Sequence, residues 1–177
     1  MEKKIVTALV LCCLGAAGSA VAAANTETIT LNITGSVQDS TAGCVVALDQ
    51  AYMDLGVHDI ADLPEQGHYK DTTSGYHNTV KMSGANCKNN SGNSVAIRFT
   101  GNAVGTAFKN SSSDSTAAQG VGVEVYGYGK NIINPNTSDV PTYNSQYPFY
   151  VGIVKMRNAT PTAGSVKSTI TVEVDRL

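Results

Sequence analysis

Three histidines, His58, His68 and His77, are the only imidazoles this sequence offers for catalysis or metal binding. A zinc or copper site draws several imidazoles or thiolates together, and no H-x-H or H-E-x-x-H spacing is present to do so. Ser74 and Ser83 lie near His77 in sequence, but no G-x-S-x-G elbow marks a nucleophile. Asp54, Asp59, Asp62 and Glu65 form a loose acidic cluster whose spacing fits no calcium loop, so a solvated face is expected. Gly120-Val-Gly-Val and Gly127-Tyr-Gly have the glycines of a phosphate loop without the strand-to-helix setting such a loop needs. Tyr126, Tyr128, Tyr143, Tyr147 and Tyr150 could stack against sugar rings, or divide between core edge and subunit contacts. The pattern predicts no enzyme, no cofactor and no metal site.

The elements that would have to position any of these groups are strands. In residues 25–37, Ile29, Leu31, Ile33, Gly35 and Val37 alternate with Thr28, Thr30, Asn32, Thr34 and Ser36. A period of two over this length reads as a half-buried strand. Its apolar face must be buried in the chain's own core or in a neighbour's. The strand follows a basic start (Lys3, Lys4), an apolar run from Ile5 to Leu14, and small residues through Ala24. This is the layout of a secretory signal peptide, and the run is short of the roughly 20 apolar residues that span a bilayer. Cys12 and Cys13 fall in that leader. Cys44 and Cys87 remain, and in an oxidising compartment one disulfide between them is expected, the alternative being two buried thiols. Such a closed loop adds about 4 kcal/mol on the chain-entropy model. The formal net charge is −2, with no basic block, so no nucleic-acid partner is indicated.

Further along, Val45–Leu48 is a short apolar run, and 54–63 reads as a strand followed by a helical turn that Pro64 ends. Residues 65–78 and 84–92 read as loops, with Thr79–Met82 as a strand between them. Alternation returns over 94–100, 120–128 and 169–177, with Ile170, Val172 and Val174 inward in the last. Residues 149–156 are apolar on both faces, as in a central strand, and 131–147 reads mostly as loop. About seven strands separated by turn signals predict an all-β Greek-key sandwich.

The order of these pieces resembles the chaperone–usher fimbrial (pilus) subunits of the type 1 pilin kind. Ile33-Thr-Gly-Ser-Val37 ahead of Cys44, the Cys44–Cys87 spacing, Gln119-Gly-Val-Gly-Val-Glu-Val125, and the 149–156 strand followed by the turn to Gly164 and an alternating end carry the resemblance. Arg176 departs from it, since the family usually has Tyr at the penultimate position. The resemblance implies an incomplete immunoglobulin-like sandwich lacking its final strand, completed by a donor strand from another subunit. It implies residues 1–24 as a removed signal peptide, 25–40 as a donor-strand extension and 41–177 as the pilin domain. Ile29, Leu31, Ile33, Gly35 and Val37 would fill the groove of a neighbour, and Ile170, Val172, Val174 and Leu177 would line the accepting edge. The implied partners are identical or related subunits, a periplasmic chaperone and an outer-membrane usher, with a host-surface receptor reached through a separate adhesin. The implied destination is the cell surface by way of the periplasm. A minor adaptor subunit near the tip and a secreted carbohydrate-binding sandwich are the alternative readings.

Overall fold

A computed structural model describes residues 30–35, 45–84, 95–142 and 145–176. The leader, Ile29, Val37, Leu177 and both Cys44 and Cys87 lie outside the described residues, and with them the expected disulfide. Eleven strands are described: β1 (Thr30–Gly35), β2 (Val45–Leu48), β3 (Tyr52–Asp54), β4 (Tyr76–Ser83), β5 (Val95–Thr100), β6 (Ala103–Val104), β7 (Ala107–Lys109), β8 (Val121–Gly127), β9 (Val140–Thr142), β10 (Gln146–Lys155) and β11 (Lys167–Arg176). A 3-10 turn at Ile60–Asp62 and one helical turn, α1 (Asp71–Ser74), are the described helical pieces.

The strands form two sheets, one ordered β3-β1-β11-β5-β9 and the other β2-β4-β10-β8-β7-β6. Their apolar faces meet in one core. Leu31, Ile33, Ile97, Phe99, Ile170 and Val172 come from the first sheet, and Val80, Met82, Val123, Val125, Phe149 and Ile153 from the second. Phe99 and Phe149 meet across the sheets with ring centroids 5.0 Å apart. This is the all-β sandwich that the alternation predicts, with β5, β8, β10 and β11 where the periodic runs lie. The segment at 131–147 holds β9 and the start of β10 rather than loop alone, and the β6–β7 hairpin and α1 have no counterpart in the periodic reading.

In β8 both faces are buried, not the inward one alone. Residues 64–75 lie across the outer face of the second sheet. They are tied to β10 by Lys155 N–H donating to Pro64 O and Gln66 N–H to Lys155 O, both at 2.8 Å. Gln66 donates to Val104 O (2.6 Å) and accepts from Arg157 N–H (3.1 Å). α1 settles onto β10 at Gly152, where any Cβ would collide with Ser74.

Candidate functional site

The slot beside the closing strand β11 is filled, and by this chain's own N-terminal strand. β1 pairs in parallel with β11 from Thr30↔Lys167 to Gly35↔Val172, and antiparallel with β3 from Thr30↔Asp54 to Asn32↔Tyr52. Leu31 and Ile33 are 1% and 2% exposed, and Ile33 lies opposite Ile170. The incomplete sandwich expected to await a strand from elsewhere is thus closed here within one chain. The physical reason is plain in the ladder: an apolar strand of matching period lies within reach, and leaving the edge of β11 unpaired would expose the core.

Among the expected donor residues, Leu31, Ile33 and Gly35 are brought into the slot, at the register positions of Ser168, Ile170 and Val172. Ile170 and Val172 on the accepting edge are fully buried, and Val174 is half-buried against the core. Two parts of the slot escape the periodic reading. One is Ser168, buried opposite Leu31, with its hydroxyl donating to Lys109 O (3.2 Å). The other is the far wall, β3, whose Met53 and its neighbour Leu55 are buried. The alternation Tyr52-Met53-Asp54-Leu55 is the available signal, cut short by Gly56 at φ +71°. An apolar cavity of about 540 Å³, lined by Val57, Ile60, Leu63, Val121, Ile153 and Val166, opens beside the start of β11.

Directions matter in this slot. Because β1 is parallel to β11 and antiparallel to β3, those two walls run opposite ways. Any strand between them is parallel to one and antiparallel to the other. As it stands, the longer ladder, to β11, is the parallel one.

The start of β11 is clamped on its other side by the loop at 110–118. Lys167 N–H donates to Asn110 Oδ1 (2.9 Å), Ser111 N–H donates to Lys167 O (2.7 Å), and Lys167 Nζ donates to Asp114 Oδ2 (3.1 Å). Lys167, then Ser112, holds the Asp114 carboxyl below its ordinary range. A depressed folded pKa contributes stability that is complete above the unfolded value, about 3.9, and is lost as pH falls through the folded one. Asp114→Asn is therefore expected to melt earlier than the wild type at neutral pH and alongside it in strong acid. Thermal melts across that range check this, and a gap that persists in acid would reject the clamp.

The other candidate groups are dispersed. His58 Nε2 faces Leu55 O (2.7 Å) and the Tyr76 hydroxyl (3.2 Å), and His68 and His77 are exposed. Among the described residues no cluster of three or more His, Cys, Asp or Glu could hold a metal. The tyrosines do not form one platform. Tyr126 is buried under Tyr69, ring centroids 5.0 Å apart, while Tyr128 is exposed and Tyr143 lies outside the described residues. The family model described as Fimbrial protein matches residues 31–176. No curated protein matches the chain.

Proposed function

The chain belongs to the fimbrial protein family and is a fimbrial subunit, and from that premise we propose that its N-terminal strand links subunits by passing from its own slot into a neighbour's. The observation that carries this reading is β1 itself: the first described strand, with two fully buried apolar side chains, held by main-chain ladders that another copy's strand could supply equally well. Strand addition of this kind draws affinity from main-chain hydrogen bonds and specificity from alternate side chains, and donor-strand complementation between chaperones and pilins is a known instance of it.

The direction of β1 supports exchange over permanent self-closure. Parallel pairing is slightly less stable per residue than antiparallel. A strand entering the other way round would pair antiparallel along the longer wall, β11, and parallel only along the three-residue wall, β3. An incoming strand can thus improve on the resident one. A periplasmic chaperone would guard the slot before assembly, an outer-membrane usher would be the place of exchange, and the assembled fibre would serve adhesion at the cell surface.

A labelled synthetic peptide of residues 25–37 added to the full chain tests this. Uptake into a complex stable to gel filtration is expected. The same peptide with Gly35→Leu is expected to be taken up at least about tenfold more slowly, because a glycine inside a strand marks close approach of neighbouring structure. Thr30→Ala, on the opposite face, is expected to behave as the parent. No uptake of the parent peptide would overturn the reading, and equal uptake of all three would overturn the register.

A further inference from the structure

A strand slot that empties and refills needs a far wall that stays in place meanwhile. Among the described strands β3 pairs with β1 alone, so the departure of β1 removes its entire ladder. We infer that Asn78 of β4 is the positioning residue that keeps this wall standing, by fastening the chain at the point where it crosses from one sheet to the other.

The register makes the device visible. β2 and β4 pair from Val45↔Ser83 to Leu48↔Val80, and Asp49 N–H then donates to Thr79 O (3.1 Å). Continued by one further step, that register sets Gln50 opposite Asn78. At that step the main chain of Asn78 faces β10, opposite Phe149, and it is the side chain that turns to Gln50. Asn78 Oδ1 accepts from Gln50 N–H (3.2 Å) and Asn78 Nδ2 donates to Gln50 O (2.7 Å), so a side-chain amide gives Gln50 the two bonds of a ladder partner. Asn78 is 2% exposed and shares the inward face of β4 with Val80 and Met82. Pairing with it draws the chain out of the second sheet and toward the first. Ala51 O then accepts from Ile33 N–H (2.9 Å), and β3 begins at Tyr52. Asn78 Oδ1 also accepts from Thr79 N–H (2.8 Å), which fixes which end of the amide faces which group.

The other end of β3 is held to the same strand. Leu55 is fully buried, and His58 Nε2 meets both Leu55 O and the hydroxyl of Tyr76, also on β4. The Tyr76 hydroxyl lies where Gly56 leaves room for it, 2.7 Å from the position a Cβ would occupy. Both anchors belong to the second sheet and neither involves β1. Of the two, Asn78 carries more, because a buried amide deprived of its partners leaves unsatisfied groups on both sides.

This inference rests on the exchange reading for its purpose, and its test separates the two. Amide hydrogen exchange on the full chain reports each opening by residue. In the wild type, Asp49 and Gln50 are expected to be protected at least about tenfold better than Ile33, because their acceptors stay behind when β1 opens. In Asn78→Ala that gap is expected to close to within about twofold at Gln50, with Asn78→Asp, which keeps the acceptor and loses the donor, in between. A general loss of stability would lower Asp49 along with Gln50, whereas loss of the side-chain amide alone lowers Gln50 and leaves Asp49 protected by Thr79 O. Equal protection in the wild type, a measurement that needs no variant to fold, would overturn the inference, and so would an unchanged gap in Asn78→Ala. If the gap behaves as expected while the wild type takes up no strand peptide, the exchange reading fails and the anchored wall stands.

Discussion

Removing residues 25–37 is expected to leave a chain that barely folds alone and recovers when the missing strand is returned as a separate peptide. Two side chains set the scale. Leu31 and Ile33 are buried in the shared core, and emptying such a site costs about 2–5 kcal/mol each. The ladders to β11 and β3 go with them. The total is roughly 4–10 kcal/mol against a typical domain stability of about 5–15 kcal/mol. Thermal denaturation should show a midpoint lowered by more than about 10 °C and a broadened transition. The truncated chain should also associate, because the vacated edge of β11 is a template for pairing. Added peptide should restore the midpoint in a concentration-dependent way, as any ligand that binds only the folded state does. A truncated chain that melts within a few degrees of the full one, with no response to peptide, would mean that β1 contributes no essential part of the core.

That experiment addresses what the sequence leaves undecided. Alternation over 25–37 shows that one face of the strand is apolar, and the structure puts Leu31 and Ile33 of that face inside. Alternation cannot say in whose groove the strand lies, because a groove in the same chain and one in a neighbour offer identical surfaces. The long strands β8, β10 and β11 are legible for the usual reason: a run of Val and Ile at period two has few other ways to be buried. β3 is obscured because its alternation, Tyr52 to Leu55, is too short to stand out, and its wall function depends on partners distant in sequence. Asn78 is hidden in a different way. As the last polar residue of 65–78 it reads as loop, whereas it lies inside β4 and pairs through its side chain. The polarity of residues 65–78 reads as loop, but half of them are regular, in α1 and the start of β4. What polarity conceals is that the segment meets β8 through main-chain groups, Gly67 N–H on Glu124 and His68 O on Tyr126, while the Gln66 amide reaches β6, leaving no apolar pattern to find.

That cover is the setting of the second large effect, expected at Glu124. Its carboxylate is fully buried on the outward face of β8, beneath residues 64–75. It accepts from Gly67 N–H (2.8 Å), from the hydroxyl of Thr106, and from the hydroxyl of Tyr126 (2.8 Å). Burial first, and then the charge of Glu124, push the pKa of Tyr126 up, so this hydroxyl stays a donor throughout the neutral range. Glu124→Leu removes the common acceptor. Tyr126 retains His68 O as a partner at 3.1 Å, but Gly67 N–H and the Thr106 hydroxyl, both on half-buried residues, lose the carboxylate. Two stranded groups at about 1–3 kcal/mol each predict a loss of roughly 2–6 kcal/mol, read as a lower denaturant midpoint. Glu124→Gln keeps an acceptor for Gly67 and Thr106 and is expected to lose less than half as much. Hydrogen exchange should show the Gly67 amide opening before the core strands in Glu124→Leu. The slot lies in the other sheet, so peptide uptake per folded molecule should be unchanged in this variant, in contrast to truncation of β1. A Glu124→Leu protein as stable as the wild type would show that the cover over β8 is held by its main-chain ties to β10 and by Gln66, with the buried carboxylate contributing nothing.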